Sequence, residues 1–374
     1  MPVRVIHVEA IPLGATLRQP FKFGNVVRTR STNVLVKVTA DDGHVGWGEA
    51  CPVPQLTGET AASVVEAIRD RVEPALLHAD PRSWRTLSTK LSEVLYGYPF
   101  TRAAVETALL DLTGRSLGLP VWAVLGGRYR SAVRVHGSVG WDEDPGTVAD
   151  NARRQAEDFA TLKLYAGRGD LKSDLDMLAK AREAVGDDID FIVDVNGQWS
   201  RSQAVAASER LRELGVTILE QPLHADDLHG MRDLTRFYGE RFGIAIAVDE
   251  GVRTPHDAFV SAREGSATAV TLGISKTAGP VAALDIARFV TGEGLSVLIG
   301  SVVELDVATV CGLHLAACVP QLPYASYLMG PQKYATRITD SMRVRDGHIQ
   351  VPDGPGLGID IDVDAVDAMR VTTS

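Results

Sequence analysis

Eight short apolar runs divide the second two thirds of this chain at nearly regular intervals. Their first residues follow one another after 25 to 30 positions, and amphipathic segments such as 173–186 and 202–215 lie between them. This alternation of strand and helix is typical of a parallel sheet closed into a (β/α)8 barrel. We therefore predict a TIM-like α/β barrel in which one of the eight strand–helix units can depart from the regular pattern. The runs are residues 133–139, 160–165, 190–196, 216–222, 243–250, 268–274, 295–301 and 324–330.

The remaining chain predicts a smaller α+β unit. Apolar and polar residues alternate in residues 1–50 as they do in β-strands, except in 14–32. That segment has no regular alternation and is predicted to be a mobile loop. Helical periodicity follows in residues 60–125. We assign residues 1–130 to this unit, 131–335 to the barrel, and 336–374 to a strand-and-turn tail that returns to the first unit.

Composition and charge narrow the class of partner. Hydrophobic residues make up 45% of the chain and charged residues 23%, as in ordinary globular proteins. A net charge of −10 disfavours nucleic acid as a partner, since that needs a basic surface. No run approaches the roughly 18 apolar residues that span a bilayer, and the N-terminus alternates like a strand rather than a signal peptide. We expect a cytoplasmic protein with a small-molecule partner. The cysteines Cys51, Cys311 and Cys318 have no metal-site spacing and are predicted to be reduced.

Three acidic residues stand at the ends of consecutive apolar runs. Asp194, Glu220 and Asp249 are 26 and 29 residues apart, which is one strand-plus-helix unit each. In a parallel barrel such residues meet at the C-terminal mouth, where active sites of this fold are built. Three converging carboxylates are hard oxygen ligands, so we predict a Mg²⁺ site, with Mn²⁺ as the alternative.

Six stretches spread over nearly the whole chain carry a family resemblance. They are VGWGEA (45–50), AVETALLDLTGRSLGLPVWAVLGG (104–127), LKLYAGRGDLKSDLDMLAKAREAVGDDIDFIVDVNGQWS (162–200), ILEQPL (218–223), VDE (248–250) and DGPGLGIDID (353–362). Together they resemble the enolase superfamily, in its mandelate racemase and muconate lactonizing enzyme members. The resemblance implies an α+β capping domain, formed from both termini, over a barrel. It also implies Mg²⁺ ligands at Asp194, Glu220 and Asp249, and removal of a proton α to a carboxylate through a metal-stabilised enediolate.

Three positions depart from that resemblance. On the second barrel strand, muconate lactonizing members carry Lys-x-Lys with the second lysine as acid/base, whereas residues 163–165 read Lys-Leu-Tyr. The opposing catalytic lysine of the sixth strand aligns with Gly273, and Lys276 aligns with a later, non-catalytic position. On the eighth strand, the Asp-x-Asp that binds an α-ammonium group in dipeptide epimerases is replaced by Tyr-Leu-Met at 327–329. A zwitterionic peptide is therefore disfavoured as substrate.

Lys163, Tyr165 and Lys276 are the candidate catalytic residues. Lys163 and Tyr165 are two apart on a strand, so both face the barrel interior beside the metal. A nearby ammonium and Mg²⁺ lower a phenol pKa, which makes Tyr165 the leading proton carrier; the alternative is a wall residue that only hydrogen-bonds the substrate. Lys163 is predicted to stabilise charge. Lys276 lies an odd number of residues from Gly273, so a regular strand would not point both inward; packing is favoured and a second acid/base role stays open.

Five further side chains are candidates for contacts around the metal or the substrate. Asn196 shares the strand face of Asp194, which suits an outer contact to the metal site. Arg28 and Arg30, in the segment predicted to be a loop, could meet a distal anionic group. The five candidates are Asn196, Arg28, Arg30, Glu250 and Glu304.

The predicted function is a Mg²⁺-dependent isomerase or lyase acting on a small carboxylate. Racemase, epimerase and cycloisomerase outcomes fit the resemblance, and loss of the opposing lysine favours β-elimination. Segments 14–31 and 51–60 are expected to close over the mouth and set specificity. A paralogue that binds carboxylates without turnover is the alternative. The resemblance also implies a homo-oligomer.

Overall fold

The computed structural model describes residues 3–23, 26–340 and 342–373, with the backbone alone for 19–23 and 26–28. Its strands are β1 (Val5–Phe23), β2 (Val26–Ala40), β3 (Val45–Ala50), β4 (Ala132–Arg134), β5 (Gly137–Val139), β6 (Thr161–Tyr165), β7 (Asp190–Asp194), β8 (Val216–Glu220), β9 (Ala245–Val248), β10 (Ala269–Leu272), β11 (Ser296–Ile299), β12 (Val344–Arg345) and β13 (His348–Gln350). Its α-helices are α1 (Pro54–Thr57), α2 (Ala61–Ala67), α3 (Glu73–Leu76), α4 (Trp84–Val94), α5 (Pro99–Leu117), α6 (Val121–Val124), α7 (Pro145–Ala156), α8 (Leu171–Val185), α9 (Arg201–Glu213), α10 (Leu228–Phe242), α11 (Pro255–Glu264), α12 (Pro280–Gly292), α13 (Asp306–Cys318) and α14 (Val363–Met369). A π-helix spans Ile68–Val72, and 3-10 helices span Pro81–Ser83 and Gly330–Lys333.

Strands β1, β2 and β3 form an antiparallel sheet on which the long helix α5 packs. The helix lies directly on β3, because a Cβ at Gly46 would be 2.1 Å from the carbonyl oxygen of Ala108. A Cβ at Gly48 would be 1.8 Å from that of Ala104. Only glycine allows the two backbones to approach so closely.

Residues 14–23 and 26–32, the described part of the segment 14–32, are not the loop that the sequence predicted; residues 24 and 25 lie outside the described residues. Strands β1 and β2 run through this segment and pair antiparallel, with a register shift between Thr16 and Phe21. Thr16 also accepts a backbone hydrogen bond of 3.0 Å from Ala335 N, at the last residue assigned to the barrel segment. The register shift breaks the two-residue alternation, so periodicity gave no strand signal where cross-strand pairing forms one.

Strands β5 to β11 form a parallel sheet whose spatial order follows the chain order. Helices α7 to α12 connect successive strands. A separate apolar cluster within this sheet takes one residue from each of five neighbouring strands, namely Ile192, Ile218, Ala247, Ala269 and Leu298. The predicted TIM-like barrel is confirmed.

The ring is closed by isolated bridges rather than by a regular eighth strand. Residues 324–330 contain one bridging position, Ser326, and Gly330 begins a 3-10 helix, so the prediction of a full strand there is wrong. Ser326 forms a parallel bridge to Val135, and Tyr327 N donates to the carbonyl oxygen of Ile299 at 2.7 Å. These isolated contacts give the backbone groups of residues 326 and 327 hydrogen-bond partners. The apolar pattern of the sequence cannot distinguish such isolated contacts from a regular β-ladder.

The C-terminal tail touches both parts of the molecule. Strands β12 and β13 extend β4, the first portion of run 133–139, into a three-stranded antiparallel sheet. Further along, Arg370 bridges Leu13, and Val371 N donates to the carbonyl oxygen of Pro12 at 3.0 Å. The tail therefore covers the edge strand β1, while the boundaries at residues 130 and 335 stay a prediction.

Two simpler observations concern the helices and the cysteines. No described helix combines the length and apolar character needed to cross a membrane. Cys51, Cys311 and Cys318 are buried and form no disulfide. The packing around these thiols is consistent with the structural role expected from their spacing.

His314 in α13 makes stability depend on pH. Its Nδ1 accepts from Trp122 N at 3.3 Å and its Nε2 lies 3.1 Å from the carbonyl oxygen of Leu357, a pattern that needs the neutral ring. Burial lowers the pKa of His314 to about 4 from its ordinary value of 6.5. The folded state therefore resists protonation more than the unfolded state, and stability present above pH 6.5 is lost as the pH falls towards 4.

Because of His314, we expect the free energy of unfolding to be about 2 kcal/mol lower at about pH 5 than at about pH 7.5. A His314→Gln variant should lose that increment, whatever its stability at neutral pH. Urea denaturation of both proteins at the two pH values measures the difference. Equal pH dependence in the two proteins would contradict the assignment.

Candidate metal centre and active site

The three predicted metal ligands converge at the C-terminal mouth of the barrel. Asp194 and Glu220 end β7 and β8 and are register partners, and Asp249 directly follows β9. One carboxylate oxygen from each lies within 4.8 Å of the others. They come together because each acid stands two residues after a residue of the interior apolar cluster, and alternate residues of a strand share a face. The result is a carboxylate cluster on an apolar floor.

Lys163 links two of these carboxylates. Its Nζ lies 2.8 Å from Asp194 Oδ2 and 2.8 Å from Glu220 Oε1, and its side chain is buried. Burial opposes the charge, but the two carboxylates outweigh it and raise the pKa of Lys163 well above its usual value. Burial also raises the pKa of Glu220 to about 7, with Lys163 acting in the opposite direction. Lys163 is thus held as an ammonium.

Lys276 also reaches the cluster, which strand parity had not predicted. Its Nζ lies 2.5 Å from Asp249 Oδ1 and also donates to the backbone carbonyl of Asp249. Strand β10 ends at Leu272, and Thr277 N donates to the carbonyl oxygen of Gly273 at 3.2 Å. The chain therefore turns after the strand, so the two-residue alternation no longer applies at Lys276.

Tyr165 forms part of the wall beside Lys163. The Lys163 ammonium lies 5.7 Å from the centroid of the tyrosine ring, and the phenol is hydrogen-bonded with Ser138. Burial raises the pKa of Tyr165 above its ordinary value, and the lowering effect of Lys163 is smaller. Without a divalent cation, the phenol is therefore protonated at neutral pH.

Asn196 and Glu250 connect the ligands to their surroundings. Asn196 N donates to Asp194 Oδ1 at 2.9 Å, and its side-chain amide donates to Glu250 Oε1 at 3.1 Å. Glu250 Oε2 is buried without a hydrogen-bond partner, and burial, with Asp249 and Asp194 next, raises the pKa of Glu250 to about 8. Both predicted residues thus lie in the cluster.

Two residues of this network were missed by the sequence analysis. Gln221 Oε1 accepts from the backbone N of Asp249 at 2.9 Å and of Gly251 at 3.2 Å, which fixes the turn carrying the third ligand. Arg168 donates to Asn196 Oδ1 at 2.6 Å. The contacts of Gln221 and Arg168 depend on how loops pack against each other, which the sequence does not show. The only sequence signal was that Gln221 directly follows Glu220.

The other predicted contact residues lie elsewhere. Glu304 is buried and accepts from Val302 N at 2.5 Å and from Ser301 Oγ, so it holds the loop that lines the cavity. Arg30 is exposed and is absent from the described lining of the metal cavity. The side chain of Arg28 lies outside the described part of the chain.

A cavity of about 370 Å³ opens above the carboxylates. The capping unit contributes residues of helix α1 to its wall, within the segment 51–60 expected to set specificity. The barrel contributes two of the three carboxylates, Asp194 and Asp249, together with both lysines and Tyr165. The space can take a small molecule whose polar end meets the carboxylates and ammonium groups.

Comparison with known proteins agrees with this architecture. Residues 147–366 match the family described as Enolase C-terminal domain-like, and residues 5–126 match the Mandelate racemase / muconate lactonizing enzyme N-terminal domain. The crystal structure of muconate lactonizing enzyme from Pseudomonas fluorescens complexed with muconolactone has a TM-score of 0.93 and 28% sequence identity, covering 99% of this chain and 100% of that one.

Curated relatives extend over the same length. Muconate cycloisomerase 1 of Rhodococcus opacus is 29% identical, with 97% of each chain covered. L-Ala-D/L-Glu epimerase of Bacillus subtilis is 29% identical over 96% of this chain and 97% of the relative. N-succinyl-L-Arg/Lys racemase of Bacillus cereus is 28% identical over 99% and 98%. The chain therefore belongs to the mandelate racemase and muconate lactonizing enzyme family of the enolase superfamily, and is an isomerase or lyase of that family.

Proposed function

We propose that the protein is a Mg²⁺-dependent enzyme that removes a proton from the carbon α to a substrate carboxylate. The observation that supports this most is the carboxylate triad paired with two ammonium groups, those of Lys163 and Lys276, at the floor of a cavity that Asp194, Asp249 and both lysines line. A carbon acid next to a carboxylate ionises only where positive charge meets the developing enediolate. The substrate's carboxylate is placed at this end of the cavity.

The residues present fit a divalent cation. Asp194, Glu220 and Asp249 offer hard oxygen ligands within 4.8 Å of one another, and like charges held so close favour a shared cation. When bound, Mg²⁺ would supply positive charge to the substrate's carboxylate oxygens; Mn²⁺ accepts the same ligands. Lys163 keeps Asp194 and Glu220 oriented through its two contacts of 2.8 Å.

Lys163 acts as a fixed charge. A lysine held as an ammonium by two carboxylates is a poor proton acceptor. It instead lowers the energy of negative charge that develops beside it. This role agrees with the sequence-based prediction for Lys163.

Tyr165 and Lys276 are the proposed proton carriers. They stand on β6 and directly after β10, which are separated by three strands of the sheet, so they face the cavity from different sides. The phenolate of Tyr165, which positive charge at the metal site would favour, could take the proton from one face of the α-carbon, and the Lys276 ammonium could supply a proton to the opposite face. This arrangement favours an isomerase over the β-elimination expected from Gly273 alone.

The catalytically attenuated carboxylate-binding paralogue is the second candidate. Glycine at position 273 and tyrosine at 165, where the resemblance places lysines, favour it. Incubation in D₂O with acid sugars, N-acylated amino acids and lactones separates the two candidates. Mg²⁺-dependent deuterium incorporation at the α-carbon, lost with chelator, identifies an enzyme. Mg²⁺-dependent binding without exchange across the library identifies a binding protein.

With an exchanging substrate, Tyr165→Phe and Lys276→Met assign the proton carriers. Each change is expected to slow exchange from one substrate enantiomer about 100-fold, the usual contribution of general acid/base catalysis, while the other enantiomer is affected less. Nuclear magnetic resonance of each enantiomer in D₂O measures both rates. Thr113→Val, which removes a buried hydroxyl in helix α5 outside the metal cavity lining, is the control. An unchanged exchange rate in Tyr165→Phe would show that the phenol only contacts the substrate and carries no proton.

Assembly into a homo-oligomer stays a prediction from the family resemblance. Light scattering at several protein concentrations measures it directly. Nothing in the proposed chemistry depends on the result, because all the residues named in the reaction come from one chain.

A further inference from the structure

Gln221 directly follows the predicted metal ligand Glu220 and has a strained backbone. It is 1% exposed, and its φ angle is 37°, in the left-handed region that favours glycine. Asn196, two residues after Asp194, lies in the same region with a φ angle of 48°. Residues other than glycine keep such a backbone only where surrounding contacts hold it, and they are concentrated at functional sites. The contacts of Gln221 must therefore offset the strain of its backbone.

The backbone of Gln221 connects the ligand-bearing strands on either side of β8. Its N–H donates to the carbonyl oxygen of Ala247 at 2.8 Å, in strand β9. Its own carbonyl oxygen accepts from Gly197 N at 2.7 Å, in the turn that follows Asp194. Because Gln221 itself follows Glu220, this one residue links the chain segments that carry all three carboxylates.

The side chain of Gln221 holds the turn that carries the third ligand. Its Oε1 accepts from Asp249 N at 2.9 Å and from Gly251 N at 3.2 Å. Its Nε2 donates to the carbonyl oxygen of Leu223 at 2.8 Å. A primary amide has an acceptor and a donor, so it satisfies both ends of this arrangement, whereas a carboxylate satisfies only the first. The amide is thus held at both ends, and it fixes the turn of Asp249 in one position.

We propose that Gln221 is a positioning residue that holds the three ligand-bearing turns in their binding geometry before the cation arrives. This inference rests on the metal centre of the proposed function, and it names the residue that keeps the ligands in place when no cation is bound. Carboxylates within 4.8 Å of one another repel. Lys163 and Lys276 offset that repulsion, whereas Gln221 contacts the backbone of the turns and so fixes their geometry.

Mg²⁺ calorimetry on two variants of the full chain tests the proposal. Gln221→Met keeps the shape of the side chain but lacks the amide, so its Mg²⁺ affinity should fall at least about tenfold, as is usual when a residue that orients a metal ligand is lost. Gln221→Glu still accepts from both N–H groups of the Asp249 turn, so its affinity should fall by less than about threefold. Gln221→Glu does lose the donor to Leu223, so urea denaturation with chelator should show both variants to be destabilised. Affinity that follows the acceptor rather than the stability identifies positioning.

Gln155→Met is the matched control. Gln155 Oε1 also accepts from a backbone N–H, that of Ser138 at 3.2 Å, but Gln155 is absent from the described lining of the metal cavity. Its Mg²⁺ affinity should equal that of the unaltered protein. The proposal is overturned if Gln221→Met binds Mg²⁺ as tightly as the unaltered protein. It is also overturned if Gln221→Glu or Gln155→Met loses as much affinity as Gln221→Met.

Amide hydrogen exchange of the unaltered protein provides a second test, which does not depend on the folding of any variant. With chelator present, a peptide containing Asp249 and Gly251 should exchange at least about tenfold more slowly than an unstructured chain, because the amide of Gln221 already holds both N–H groups. Unprotected amides in this peptide, or no Mg²⁺ binding by the unaltered protein, would overturn the proposal. Failure of the proposed function gives a different result. In that case no compound of the library exchanges its α-proton, while Mg²⁺ affinity still depends on Gln221.

Discussion

Replacing Glu220 with glutamine is expected to weaken Mg²⁺ binding at least about 100-fold and to reduce turnover at least about 1000-fold. Glu220 is buried at the centre of the triad, between Asp194 and Asp249 on neighbouring strands. An amide of the same shape removes one negative charge and turns one ligand oxygen into a donor. Mg²⁺ calorimetry and the α-deuterium exchange assay measure the two effects.

Glu106→Gln is the matched control for Glu220→Gln. Glu106 is also a buried glutamate, but its carboxylate accepts from Ser88 and from Val281 N, at the start of helix α12, and it lies outside the triad. This control should keep its Mg²⁺ affinity even if it loses stability. Unchanged Mg²⁺ affinity in Glu220→Gln would contradict the assignment of the metal centre and the chemistry proposed for it.

Replacing Lys163 with methionine is expected to reduce turnover about 1000-fold, because a fixed charge beside the developing enediolate is lost. It should also destabilise the protein without Mg²⁺ by about 3 kcal/mol, the usual cost of leaving buried partners unpaired. Saturating Mg²⁺ should recover much of that stability, since a cation bound only by the folded state replaces the missing positive charge. Urea denaturation with Mg²⁺ and with chelator measures both states.

Lys172→Met provides the comparison for that stability change. Lys172 also pairs with an aspartate, at 2.6 Å from Asp176, but its side chain is 84% exposed. Exposed pairs contribute little, so the change in stability should be small and insensitive to Mg²⁺. Equal effects of Mg²⁺ on both variants would show that Lys163 has no special relation to the metal centre.

The predictions that succeeded depended on regular strands. Spacing alone gave the barrel, because one strand-plus-helix unit has a nearly constant length. Strand parity then brought Asp194, Glu220 and Asp249 together and placed Lys163 inside. Each of these residues lies within a strand or directly after one, where a side chain's direction follows from its position in the chain.

The predictions that failed or left alternatives open concern segments where a regular period stops. Lys276 enters the cavity because the chain turns after β10, and Ser326 closes the ring by a bridge. The described residues of the segment 14–32 lie in paired strands despite their irregular pattern, and the register shifts between Thr16 and Phe21. All three features depend on contacts between residues distant in sequence, which the local periodicity of the chain does not predict.

The sequence by itself determined the barrel and the three carboxylates that lie together at its mouth. Tertiary structure alone decided which cations approach them, and it brought Arg18 of strand β1 and Lys333 to the wall of one cavity. The physical reason is the range of the forces involved. Burial of alternate side chains fixes direction within a strand, whereas the placement of a loop or hairpin depends on packing against elements hundreds of residues away.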